Sequence, residues 1–302
     1  VKPVRPLLVV GLGGHALSTP DAPPDRALAG ERAAAAAAAM ELAALAADGF
    51  RLLIVHGNGP QVGRLLADHA GLDTLDIHVA QTQGELGYLL AAALQRAAAE
   101  PVVALITRVE VDPTAAASGD PEKPIGPVLP AAPDGPALQL PQGRGWRRIV
   151  PSPAPRGVVE APLIARLLDQ AHVIAGGGGG VPVTADGSPM RGVIDKDRVA
   201  AWFAIRFDAA GLLIGTDVEG VYDDFTGPAP QLLTALTPAA CGRLLDQGRL
   251  PAGSMGPKVA SAVAYVTATG RAAVIARMGS LRPALAGRAG TRIARDAGSL
   301  PP

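Results

Sequence analysis

A chain of 302 residues has the length of two average domains or of one large α/β domain. Lysine plus arginine and aspartate plus glutamate both number 27, so the formal net charge is zero. That excludes the basic excess that a general nucleic-acid binder needs to neutralise phosphates. Apolar residues make up 48% and charged ones 18%, the composition of a compact globular chain rather than a disordered one. The single cysteine, Cys241, excludes an internal disulfide framework and a multi-cysteine metal site, and points to a cytoplasmic chain. Of the cations, only Lys2, Lys123, Lys196 and Lys258 are lysines. In so arginine-rich a chain, a lysine is a candidate for a task that arginine cannot perform.

In chain order, Leu7–Val10 reads as a strand, ending in Gly11-Leu12-Gly13-Gly14. Prolines 3 and 6 and the glycines at 11, 13 and 14 break any signal-peptide pattern, and no apolar run is long enough to span a bilayer. A helix is predicted from about Pro24 to Ala47. Its alanine tract, Ala33–Ala39, is bracketed by Glu31, Arg32 and Glu41 and so belongs to a soluble helix. Leu52–Val55 is the next strand, followed by His56-Gly57-Asn58-Gly59 and a helix opened by Pro60, at the first-turn position that proline tolerates. Val102–Ile106, Val173–Ala175, Leu212–Ile214 and Ala273–Ile275 complete the strand candidates. Short, fully apolar strands alternating with helices predict a mostly parallel sheet covered on both faces. Glycines just beyond the strands mark the edge where open α/β sheets bind ligands. Residues 112–148 differ: eight prolines and little periodicity predict a small lid inserted into one large domain spanning 1–302, or else a disordered surface insertion.

Six segments carry candidate chemistry. Gly13-Gly14-His15 and Gly57-Asn58-Gly59 each put glycines before a helix start, where backbone N–H groups hold anions; a tight turn, or Asn58 acting as an N-cap, would look the same. Gly176–Gly180 sets five glycines after an apolar strand, a costly arrangement to order, suited to close approach to a polyphosphate or to a linker. In Asp195-Lys196-Asp197 two carboxylates flank one lysine and can orient its ammonium, either in an extended segment or at a helix start. Gly253-Ser254-Met255-Gly256-Pro257-Lys258 again brings glycines before a lysine but is not a Walker A loop. Thr216-Asp217-Val218-Glu219-Gly220-Val221-Tyr222 follows a strand and suits a nucleotide or simply a polar strand end. There is no H-E-x-x-H, no G-x-S-x-G and no protein-kinase H-R-D or D-F-G set. Histidines 15, 56, 69, 78 and 172 lack metal-ligand spacing.

Taken in order, these segments resemble the amino-acid kinase superfamily and, within it, the carbamate kinase family. The resemblance runs from Leu7 to Ile293. It also includes Gln81-Thr82-Gln83-Gly84, Lys123-Pro124-Ile125-Gly126-Pro127, Arg147-Arg148-Ile149-Val150-Pro151-Ser152-Pro153 and Ala289-Gly290-Thr291-Arg292-Ile293. It implies a three-layer αβα sandwich with a mostly parallel central sheet and a small protruding lid, acting as a cytoplasmic homodimer. The implied reaction is the reversible conversion of ATP and carbamate to ADP and carbamoyl phosphate, with Mg²⁺ accompanying the nucleotide. Neither a membrane nor a nucleic acid is implied as partner.

By position, the resemblance assigns Lys123, Lys196 and Lys258 to the transferring phosphoryl group. It assigns Gly13, Gly14, His15, Gly57, Asn58 and Gly59 to the substrate, and Gly176, Gly177, Gly178, Asp195, Asp197, Asp217, Tyr222, Met255 and Gly256 to the nucleotide. Phosphoryl transfer needs positioning and positive charge more than covalent chemistry, one cation there being commonly worth ~10³–10⁵ in rate. A carbamate oxygen is already anionic, so no general base is required. Acetylglutamate, aspartate and uridylate kinases usually carry a lysine two residues before the first Gly-Gly pair; here that position is Gly11, and the resemblance gives its task to Lys123. The chain departs from the family at His15, where asparagine is usual, and in a short, proline-rich stretch between Pro127 and Arg144. Two other readings remain open: a related kinase for another small carboxylate or carbamate-like acid, and a non-catalytic nucleotide sensor.

Overall fold

The computed structural model describes residues 5–18, 24–68, 74–114, 123–140, 143–225, 229–251 and 253–296. Lys2, His69, the side chain of His15, and residues 115–122 and 141–142 of the expected lid lie outside the described residues. The first half of the chain forms β1 (Leu7–Leu12), α1 (Pro24–Ala47), β2 (Arg51–His56), α2 (Gly59–Asp68), α3 (Leu75–Ala97), β3 (Val102–Ala104) and β4 (Arg108–Val111). Then come β5 (Lys123–Leu129), β6 (Ala137–Gln139), β7 (Trp146–Val150), β8 (Pro155–Val158), α4 (Ala161–Leu167), β9 (His172–Ile174) and β10 (Val181–Val183). The remainder forms α5 (Lys196–Arg206), β11 (Gly211–Thr216), β12 (Tyr222–Asp223), β13 (Gln231–Leu232), β14 (Ala235–Leu236), α6 (Pro238–Asp246), α7 (Met255–Thr269), β15 (Ala273–Arg277), α8 (Leu281–Leu285) and β16 (Thr291–Ile293).

Eight strands make the main sheet in the order β14-β16-β15-β11-β1-β2-β9-β3. From β15 to β3 the neighbours run parallel; β15 and β16 pair antiparallel. β1 sits centrally, with Val9 opposite Leu53 on one side and Leu212 on the other. Its side chains alternate between two cores. Val9, with Leu53, Val55 and Ile214, packs under Val199 and Phe203 of α5 and Val259 and Tyr265 of α7. Leu8 and Val10, with Leu52, Ile54 and Leu213, pack under Ala35, Leu42 and Leu45 of α1 and Leu86 and Leu90 of α3. Helices on both faces are why these strands carry no polar side. Alanines 35, 38 and 39 give α1 a smooth buried face, and α1 lies along α3.

Residues 123–150 form a separate antiparallel sheet, β5-β7-β6, whose first strand lies on α2. Pro124 and Pro127 fall on β5, an edge strand of that sheet, where a missing N–H breaks no ladder bond. Sequence periodicity does not foresee these strands, because the prolines hide the pattern. Among the described residues no helix is long and apolar enough to cross a membrane.

Phe203 is fully buried at the centre of the α5 face. Its ring meets Trp202 edge-on with centroids 5.5 Å apart, and lies near-parallel to Phe207 at 5.7 Å. Phe203→Ala is expected to cost about 3–5 kcal/mol of stability, read from the shift in a urea unfolding midpoint.

Candidate active site

The strand ends of the main sheet are knitted together by backbone bonds. The Gly13 N–H donates to the Gly215 carbonyl (3.1 Å), and the Gly57 N–H donates to the Leu12 carbonyl (3.0 Å). A Cβ on Gly13 would stand 3.3 Å from the Gly215 oxygen, close enough to push the loop after β1 by a few tenths of an ångström. Gly14 and His15 open a 3-10 turn, Gly14–Leu17. Gly59 begins α2, and the Val62 N–H donates to the Asn58 carbonyl (3.0 Å). The buried Asn58 amide donates to Thr82 Oγ1 (2.9 Å).

The five-glycine run is explained by protein packing. Gly176, Gly178, Gly179 and Gly180 have φ of 69°, 63°, 89° and 81°, a region that disfavours residues with a Cβ. A Cβ on Gly178 would stand 2.1 Å from Asn58 Nδ2, and one on Gly179 would stand 2.1 Å from the Ile194 carbonyl oxygen. Gly176 and Gly177 pack against Val199, Phe203, His56 and Gln83 behind the cleft wall. Of the three glycines singled out in this run, Gly178 alone lines the cleft. Gly176 and Gly177 are not among the described lining residues, and protein side chains fill the space beside them.

Asp195-Lys196-Asp197 is a helix start rather than an extended segment. Asp195 caps α5, its Oδ1 accepting the Asp197 N–H (2.8 Å). Around these two buried carboxylates the three lysines converge. Lys123 of β5 donates to Asp195 Oδ2 (2.5 Å). Lys196 donates to Asp197 Oδ1 (2.5 Å), and Lys258 of α7 donates to Asp197 Oδ2 (3.0 Å). Gly11 adjoins the same group: a Cβ there would lie 3.5 Å from Asp197 Oδ1.

The electrostatics follow from burial. Desolvation alone would raise the Asp195 carboxyl, but the Lys123 and Lys196 ammoniums outweigh it and hold it well below the usual carboxylate range. Burial pulls Lys196 down to about 8, against the Asp197 carboxylate and with the help of the neighbouring Lys258 charge. Lys258 is also desolvated, yet Asp197 and Asp195 lift it above its ordinary value. Burial lowers His56 to about 4 despite its bond with the Gly57 carbonyl, so it is a neutral structural imidazole at physiological pH. His78 lies between Thr74 and Gln81, and His172 accepts the Leu52 N–H, so both are held by structural hydrogen bonds.

The two carboxylates and the three lysines line one cleft of about 790 Å³, a size typical of small-molecule sites. Its wall carries Gly13, Gly57, Asn58, Gly59, Asp217, Tyr222 and Met255 together with Lys123, Lys196, Asp197 and Lys258. Gly256 is not among the described lining residues. Gly256 lies in the first turn of α7, its N–H on the Pro251 carbonyl (3.0 Å). Tyr222 donates to Glu219 (3.1 Å) and meets Phe225 at a ring separation of 5.6 Å. Sequence reasoning missed Arg147, Phe225, Arg277 and Met278 as lining residues. Arg277 and Met278 follow an apolar strand, and that position was the available signal; Phe225, one of only four phenylalanines, had rarity alone.

The amino acid kinase family model matches residues 6–277. The chain belongs to the amino acid kinase family. This amino acid kinase is 39% identical over 302 residues to the carbamate kinase of Escherichia coli K12, covering 95% of this chain and 98% of that protein. It is 38% identical to the carbamate kinase of Thermococcus kodakarensis, over 85% of this chain and 90% of that one. The solved carbamate kinase of Giardia lamblia bound to AMP-PNP superposes with a TM-score of 0.84 at 29% identity, covering 97% of this chain and 99% of that one.

Gly178→Ala tests the packing of the glycine run. The new methyl would overlap the Asn58 amide at a left-handed backbone position, so a loss of about 1–3 kcal/mol in unfolding free energy is expected. Thermal denaturation measures it, and an unchanged melting temperature would contradict the packing described.

Proposed function

We propose that this chain is a carbamate kinase, interconverting ATP plus carbamate and ADP plus carbamoyl phosphate. The observation that carries the reading is the convergence of Lys123, Lys196 and Lys258 on Asp195 and Asp197 inside the cleft. Two carboxylates hold three ammoniums in place and leave one positive charge uncompensated before any phosphate enters. Preorganised cations of this kind stabilise the charge that spreads over a transferring phosphoryl group. Compact ammoniums, rather than the wider arginine fork, suit three cations crowded around one small group.

In this reading carbamate lies at the Gly13, Gly14, His15 and Gly57–Gly59 end, and the nucleotide extends past Asp217, Tyr222 and Met255. Its carboxylate oxygen attacks the γ-phosphorus in line, with no general base. Asp195 and Asp197 hold the lysines rather than touch the nucleotide. Among the described residues no group of three or more His, Cys, Asp or Glu side chains could hold a metal ion. In this reading Mg²⁺ would arrive with the nucleotide and would supply charge neutralisation to its phosphates. The lid role of residues 112–148, the homodimer and the cytoplasmic location belong to the same proposal, on the strength of the resemblance.

The direct test mixes the pure protein with carbamoyl phosphate and ADP and follows ATP by a coupled assay. No ATP from folded protein would reject the carbamate reading. Turnover on another small acid would then favour a related kinase, and nucleotide binding without turnover a sensor. Lys196→Ala and Lys258→Ala are each expected to lose more than ~100-fold in turnover while melting normally. Lys123→Ala should lose activity with ADP affinity little changed.

The pH profile provides a separate check. Lys196, held down to about 8, is cationic below that pH and neutral above it. The kcat/KM for carbamoyl phosphate should therefore fall on the alkaline side of about pH 8, by up to ~10-fold per unit. A flat profile from pH 7 to 10 would remove Lys196 from the role given to it.

A further inference from the structure

The cleft holds another cation that no lysine argument uses. Arg147, on β7, lines it beside Lys123, Pro124 and Ile125. Its Nε donates to the Gly126 carbonyl (3.1 Å), and among the described residues it has no carboxylate partner. Arg277, the other arginine on the wall, faces Glu219 at 4.0 Å. Burial pushes the Arg147 guanidinium below its ordinary value, yet a guanidinium stays charged at any pH at which proteins work. A half-buried cation without a counter-ion is costly unless an anion joins it.

The position of Arg147 is fixed from two sides. Gly126, whose carbonyl it holds, has φ of +72° and lies directly on α2: a Cβ on Gly63 would stand 3.2 Å from Gly126 Cα. The α2 helix starts at Gly59, next to Asn58 and Gly57. Arg147 therefore stands on the side of the cleft formed by β5 and α2, whose start is where the proposed function puts the small acid. With Nε committed to Gly126, the two Nη groups remain, with four N–H donors in one plane. That array matches a planar oxyanion better than it matches a tetrahedral phosphoryl group already met by three lysines.

We propose that Arg147 binds the planar O–C–O group of the acceptor acid through its two Nη groups, while the lysines hold the phosphoryl group. This rests on the acyl-phosphate chemistry proposed above. In the ATP-forming direction the bond between the acyl oxygen and phosphorus breaks. Its electron pair stays on the departing carbamate, and phosphorus joins a β-phosphate oxygen of ADP. Arg147 meets the negative charge that appears on the carbamate.

The test compares wild type with Arg147→Gln, Arg147→Lys and Arg147→Ala. Arg147→Gln should raise the KM for carbamoyl phosphate by ~10–100-fold, the worth of a charge-assisted pair, and leave the KM for ADP within about twofold. Arg147→Lys, which keeps the charge but loses the plane, should recover only part of this. Arg147→Ala should regain activity when guanidinium chloride is added at millimolar concentration, which a purely structural role for Arg147 would not allow. Calorimetry with phosphonoacetate, a carboxylate joined to a phosphonate, reads binding without turnover and should show at least a ~10-fold loss in Arg147→Gln. Wild type that makes no ATP, with phosphonoacetate affinity still lost in the variant, would remove the carbamate reading and keep Arg147 as an oxyanion ligand. Wild type that makes ATP, with KM and phosphonoacetate affinity unmoved in Arg147→Gln, would overturn the role of Arg147 and keep the kinase.

Discussion

Everything at the active site depends on the pair of carboxylates at the start of α5. Without Asp195 and Asp197, three ammoniums in one cleft would repel each other, and the buried Lys196 would shed its proton more readily. With them, each lysine is aimed before a ligand arrives. The carboxylates are in turn fixed by the helix. Asp195 caps its first turn, and a few residues on, Phe203 anchors the same helix in the core. Charge placement at the site is thus tied to the packing under the main sheet.

The second constraint is closeness of backbone. Gly13 against Gly215, Gly178 against Asn58 and Gly63 against Gly126 are approaches that a methyl group would disturb. They draw the strand-end loops, α2 and the small β5-β7-β6 sheet around a single cavity. Polar side chains between them, such as Asn58 on Thr82, serve the architecture as much as any ligand.

Much of this was legible in the chain. The strand order could not be read, but the β1, β2, β9, β11 and β15 runs could, because strands buried on both faces leave continuous apolar segments. The helix expected from about Pro24 to Ala47 is found over Pro24–Ala47. The three lysines stood out because arginine dominates elsewhere. Less legible was what long-range packing decides. The five glycines looked like a phosphate loop, yet Gly176 and Gly177 serve His56, Gln83 and Phe203. Asp195 and Asp197 could be seen to flank a lysine, but not to gather Lys123 from 72 positions away and Lys258 from 61. Arg147 stood in a motif of the resemblance without a role, and only the fold puts it on the cleft wall.

Gly11 and Lys123 are far apart in the chain but answer to the same carboxylate pair. Gly11 leaves open the space beside Asp197, and Lys123 reaches Asp195 from another sheet. A lysine at position 11 would bring its ammonium to the same pair from the central strand. Changing one position alone would give a site with one cation too many or one too few. A cation at position 11 and one at position 123 are therefore alternatives, and the charge count of the cleft ties together positions that the chain keeps far apart.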